Sequence, residues 1–141
     1  MKRQIIIILT LCFALNLSFG LSAGWKQKGG IYYYVLYDMT KGSNEVVPFE
    51  FQNNLRNFSA ITVGKGTGNF DIDVALYDSK DNLKTSDTSP QDIAAVAYTF
   101  NPEDKEIKIK VSCSSGNGIA VIYAGNTADL LKVLTINYLK Q

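Results

Sequence analysis

The sequence contains no histidine. The commonest general base and the commonest metal ligand are therefore missing together, and a hydrolase would have to rest on a carboxylate pair or a Ser/Lys arrangement. Cysteine is almost missing as well, with Cys12 and Cys113 the two in 141 residues. Cys12 lies in an apolar N-terminal run, so the thiol left in the body of the chain has no partner for an internal disulfide. A charge imbalance is also lacking. Fourteen basic residues against thirteen acidic ones give a net charge of +1, which supplies no field to draw in nucleic acid or anionic lipid. No apolar run reaches the ~20 residues of a comfortable membrane span; the longest is Ile5 to Leu15.

What is present begins with a leader. Lys2 and Arg3 precede that apolar run, and small residues follow at Ser18, Gly20, Ser22, Ala23 and Gly24. This is the layout of a secretory signal peptide, with cleavage expected after Ala23 and a mature domain over 24–141. Lipidation at Cys12 is not expected, because Leu11 is bulky and the apolar sequence continues past the cysteine. The expected location is secreted, periplasmic or at the cell surface, with no stable membrane insertion after cleavage. Apolar residues make up 46% and charged residues 19%, an ordinary globular composition for a domain that must be held by its core.

The mature part reads as strands and turns. Candidate strands are 31–38, 46–51, 58–64, 71–78, 93–100, 106–113, 119–125 and 132–140. Glycine-rich turns are expected at "KGTGN" (65–69) and "SSGNG" (114–118), and a loop over 83–92, which carries Pro90. Pro48 suits an edge strand, and together with the lysines of 106–113 it argues against open edges. Within 126–134, Asn126 or Thr127 offers a cap for a short helix. About eight strands at spacings of roughly a dozen residues predict an all-β fold, an antiparallel sandwich.

Alternation assigns faces. Ile107, Ile109, Val111 and Cys113 share one side of their strand, with Lys108, Lys110 and Ser112 on the other. Cys113 then reads as a small buried residue rather than a reactive thiol. Ile72, Val74 and Leu76 point inward, while Asp71, Asp73, Ala75 and Tyr77 point outward.

The block "NFDIDVALYDSKDNLKTSD" (69–87), followed by "AAVAYTF" and "IKIKVSCSSGNGIAVIYAG", resembles a bacterial pre-peptidase C-terminal domain. Asp71, Asp73, Leu76, Tyr77, Asp78 and Asn82 match the first motif of that family, Ile109 and Val111 the second, and Gly116 and Gly118 its turn. The resemblance covers about residues 45–125 and departs at "GIAVIYAG" (118–125), where the family has Tyr-x-Leu. It implies a jelly-roll-like β-sandwich similar to the collagen-binding domains of secreted collagenases, an accessory role in binding, and Ca²⁺ in some relatives. A catalytic domain in cis is not expected, so binding in trans is what it implies.

Candidate sites are few. Asp71 and Asp73 are the candidate metal ligands. They would stand ~7 Å apart, where two charges repel by roughly 0.6 kcal/mol in water, so a solvated strand edge tolerates them without a cation. Ca²⁺ wants about six oxygens, and two are placed. The glycines at 64–68 do not open a helix and so do not form a phosphate loop. Asn57-Phe58-Ser59 is a glycosylation sequon, meaningful in a eukaryotic secretory pathway. Of eight tyrosines, Tyr32, Tyr34 and Tyr77 are the candidate ligand-binding residues, since exposed tyrosines stack on sugars and pack on proteins. The expectation is a protein that is not an enzyme: a secreted β-sandwich binding module for an extracellular protein or polysaccharide, with no required cofactor and Ca²⁺ as the candidate ion. The alternative is a structural or self-associating subunit of a cell-surface assembly.

Overall fold

A computed structural model describes residues 24–50 and 56–139, the last four by their backbone alone. The expected leader, 1–23, lies outside the described residues. The described strands are β1 (Lys26–Lys28), β2 (Ile31–Thr40), β3 (Asn44–Glu50), β4 (Asn57–Asp78), β5 (Leu83–Asp87), β6 (Ile93–Thr99) and β7 (Glu106–Asn126), followed by a helix α1 (Thr127–Leu139). All the strand pairings are antiparallel.

Two long strands organise the molecule. β4 has 22 residues and β7 has 21, and they pair with each other from Phe58 opposite Asn126 to Asp78 opposite Ile107. Each changes outer neighbours half-way. The second half of β4 carries β5, and the first half of β7 carries β3. The first half of β4 carries β6, and the second half of β7 carries β2 and then β1. Two layers result, β3-β7-β4-β5 and β1-β2-β7-β4-β6, joined through the same two strands. The expected antiparallel sandwich is thus one long ribbon folded over on itself.

The fold-over occurs at the glycines. They do not reverse the chain, as the sequence suggested; pairing continues through them, with register shifts between Thr67 and Ile72. Gly66 and Gly118 stand opposite each other, and a Cβ on either would collide with the partner backbone. A Cβ on Gly116, at φ +73°, would meet the carbonyl oxygen of Thr67. Two backbones therefore cross at a distance that only glycine allows.

The layers close on one core. Ile72, Val74, Leu76, Ile107, Ile109, Val111 and Cys113 of the first layer share a buried cluster with Tyr32, Leu36, Phe58, Ala60, Val96 and Ile122 of the second. Phe49 of β3 joins the two, with its ring centroid 5.1 Å from that of Trp25, 5.1 Å from Tyr32 and 5.2 Å from Phe58. The Trp25 indole N–H donates to the Pro48 carbonyl at 2.8 Å, which ties the first described residues to the β3 edge. Removing a ring such as Phe49 costs about 3–5 kcal/mol in cores of this kind.

Three further expectations are corrected. The loop over 83–92 begins with β5, because Leu83–Asp87 finds a partner in Val74–Tyr77. The closing strand at 132–140 is instead part of α1, which Asn126 caps by accepting the Ala128 N–H at 2.9 Å. The lysine-bearing strand 106–113 is central rather than an edge, since β3 and β4 flank it.

Candidate functional site

The structure places the five candidate residues in two different settings. Asp71, Asp73 and Tyr77 share the outer face of the first layer with Ala75, while Ile72, Val74 and Leu76 are buried beneath them, as alternation predicted. Tyr32 and Tyr34 are not surface residues of that kind, and this is a correction. Tyr32 is 7% exposed inside the core, where burial pushes its phenol above the ordinary range. Tyr34 packs on the core against Trp25, edge to face at 5.4 Å. From Ile31 to Tyr37 no residue is polar, so the run carried no sign of which parity faced outward.

On the first-layer face the carboxylates are engaged by the protein. Asp71 accepts the Gln91 N–H at 3.1 Å, and Asp73 accepts the Ser114 hydroxyl at 2.6 Å. Among the described residues no three of His, Cys, Asp or Glu come together as a metal-holding group. Two singly placed carboxylates with protein donors do not fit the oxygen cage of Ca²⁺. Asp78, the next acidic residue of the motif, is buried and turns inward. It accepts from Asn82 Nδ2, from the backbone N–H of Asn82 and Lys80, and from Lys84 Nζ at 2.9 Å. The Asn82 bonds, then Lys84, hold its carboxyl far below the usual carboxylate range. The Asp78…Asn82 part of the motif is thus the stitching of the β4–β5 turn.

Around these residues the first-layer face is mixed. One row across it runs Pro48, Lys108, Tyr77, Leu83, and the next runs Val46, Lys110, Ala75, Ser86. Lys108 reaches Asp81 at 2.7 Å, a bond that raises its pKa.

The second layer differs. Its outer face carries the row Tyr33, Tyr123, Ile61, Ala95 and beside it the row Val35, Val121, Val63, Ile93. Across β2, β7, β4 and β6 neither row has a charged side chain; on β1 the first row ends at Lys26. Tyr33 and Val121 form a buried cluster there, separate from the main core, with Val35 and Tyr123 packed against it. Towards β6 the face opens, and Ile93 is 46% exposed. The sequence did carry a signal for this surface. Residues 31–37, 93–98 and 119–125 read as unbroken apolar runs, whereas 71–78 and 106–113 alternate; a strand apolar on both faces is one that meets something on both faces.

No protein-family model and no curated protein matches the sequence. Solved structures with similar strand arrangements are found. TmCBM61, a protein in complex with β-1,4-galactotriose, is 15% identical at a TM-score of 0.38, with 72% of this chain and 88% of that one covered. The carbohydrate-binding module CBM6cm-2 from Cellvibrio mixtus lichenase 5A, in complex with cellotriose, is 12% identical at a TM-score of 0.37, covering 82% of this chain and 94% of that one. A family GH115 4-O-methyl-α-glucuronidase is 7% identical at a TM-score of 0.40, and the match covers 64% of this chain but 14% of the enzyme. At these scores the likeness carries no functional information.

Proposed function

We propose that the chain is an exported, non-catalytic β-sandwich module that binds an extracellular protein through the outer face of its second layer. The observation behind this reading is the open part of the two rows on that face, where Tyr123, Ile61 and Val63 are half-buried and Ala95 and Ile93 are exposed, with no charged side chain among them. Contiguous apolar surface of this kind, poor in charge and containing tyrosine, is the composition of interface centres. Export rests on the leader-like residues 1–23, and the pre-peptidase C-terminal resemblance agrees with an accessory binding role.

The test is a paired capture from the extracellular fraction of the host, with the wild-type chain and with Val63→Asp or Ile93→Asp as bait. Proteins retained by the wild type and lost by both variants, with unchanged circular dichroism, are the expected result. An identical set on all three baits would remove this face from consideration.

A second reading, a polysaccharide ligand, has its own observation. Tyr77 stands in the open row between Lys108 and Leu83, an amphipathic ring beside a cation. Glycan binding lost in Tyr77→Ala and kept in Val63→Asp would favour that surface instead.

A further inference from the structure

Among the described residues the sandwich has four edge strands, and three are guarded in recognised ways. β1 has three residues with a lysine at each end. β3 carries Pro48 between Glu45 and Glu50. β5 has five residues, including Lys84 and Asp87. Charge, proline and shortness are the usual devices against edge-to-edge pairing. β6 has none of them: Ile93–Thr99 is seven residues, without charge or proline, and its register against β4 runs without a bulge.

Its hydrogen bonds define which backbone groups lie on the free side. The Ala95 N–H donates to Asp87 Oδ2 at 2.9 Å, so it turns away from β4. Antiparallel strands alternate, so Ala97 and Thr99 also turn their N–H and C=O outward. Beyond them, the Asn101 N–H is met by Asp104 Oδ2 at 2.9 Å. Among the described residues nothing accepts from the Ala97 or Thr99 N–H. The open window is therefore short, bounded on each side by a donor that a carboxylate already fills, and centred on Tyr98. Beside it runs a groove of about 590 Å³ whose lining has no charged side chain and includes Tyr98 and Leu131. Leu131 is 58% exposed.

We infer that β6 is a self-pairing edge, with two copies of this chain joined antiparallel about a two-fold axis at Tyr98. In that register Ala97 of one copy lies opposite Thr99 of the other, and each pair exchanges both backbone bonds. Ala95 falls opposite Asn101, and both of those donors are already satisfied, so the filled groups sit outside the contact and the open ones inside it. An uncharged strand meets its own copy without like-charge repulsion, and a two-fold contact of this kind closes at a dimer. The two copies of Leu131 come to flank the new strand pair. The dimer does not depend on the second-layer face having a partner.

Hydrogen exchange of the purified protein, read at increasing concentration alongside sedimentation velocity, tests this. The expected result is a rising sedimentation coefficient together with slowed exchange of the Ala97 and Thr99 amides, at least tenfold between dilute and concentrated samples, and no change at Ala95. Ala97→Pro, which removes a donor that the fold itself does not use, is expected to stay folded by circular dichroism and to sediment as a monomer throughout. Val63→Asp, on the outer face, is expected to dimerise like the wild type. A monomer at every concentration would overturn the proposal. So would dimerisation without protection at Ala97 and Thr99, or loss of the dimer in Val63→Asp. Should Ala97→Pro fail to fold, the exchange pattern of the wild type decides alone.

Discussion

At the scale of single residues, the acidic groups of 69–87 separate into two kinds. Asp71 and Asp73 each answer one neighbouring donor on an open face, whereas Asp78 is enclosed by Asn82, Lys80 and Lys84. Its folded pKa lies below its unfolded one, so its contribution is complete above roughly pH 4 and is lost as the pH falls below that value. Asp78→Ala is expected to lower Tm by several degrees at pH 7. Melts between pH 7 and pH 2 check it, with the gap between variant and wild type closing in acid. The inward residues of 71–78 and 106–113 were legible because polar side chains alternate with apolar ones there. Tyr32 and Tyr34 were not, because Ile31 to Tyr37 offers no polar residue to mark a face. Cys113 is buried, and burial pushes its thiol above the ordinary range, in keeping with the part of a small apolar residue that alternation gave it.

At the scale of elements, the same glycines look like turns in sequence and act as a crossing in space. Local chemistry marks a place where the backbone needs freedom, but it does not say whether the chain reverses there or bends while still paired. The pairing of Gly66 with Gly118, 52 positions apart in the numbering, is a non-local fact that no window of sequence contains. Gly118→Val is therefore expected to abolish the fold-over, since its Cβ has only the Lys65 carbonyl and Gly66 Cα to occupy. Far-UV circular dichroism and solubility are the measurements, and a folded, soluble variant would contradict the crossing. A glycine substitution at Gly42, with nothing near its Cβ, serves as control; its φ of +91° makes a modest loss of stability the expected outcome. The helix α1 was half legible. Asn126 announced its cap, whereas "KVLTINYLK" also satisfied a strand reading, and the capped start won.

At the scale of the whole molecule, the two layers share both of their central strands, so neither has a sheet of its own to keep when the other melts. A single cooperative transition is expected by calorimetry, with calorimetric and van't Hoff enthalpies equal. The same melt answers the question of metal. A ligand at 100 times its dissociation constant adds about 2.7 kcal/mol, which for a domain of this size is roughly 10 °C. Traces in EDTA and in millimolar Ca²⁺ are expected to overlay, because Asp71 and Asp73 are each held by a protein donor. A shift of that size would return a cation to those two residues.

The long ribbon of β4 and β7 also sets an order of assembly in time. Its near end brings Asp78 to Ile107, and its far end brings Phe58 to Asn126, across more than twice the length of intervening chain. Closing the smaller loop first loses less chain entropy, so the ribbon zips from the Asp78 turn towards the glycine crossing and then beyond it. The alternating, partly charged halves of β4 and β7 next to the Asp78 turn are therefore paired early, before β3 joins them. β6 closes on β4 across a loop about as short as that of the Asp78 turn, from Val63 to Ile93, whereas the apolar run of β2, which must reach from Ile31 to Gly125, is the last to find its place. A newly made chain therefore passes through a stage in which the apolar run of β2 still waits for its partner while the edge that joins two copies is already formed.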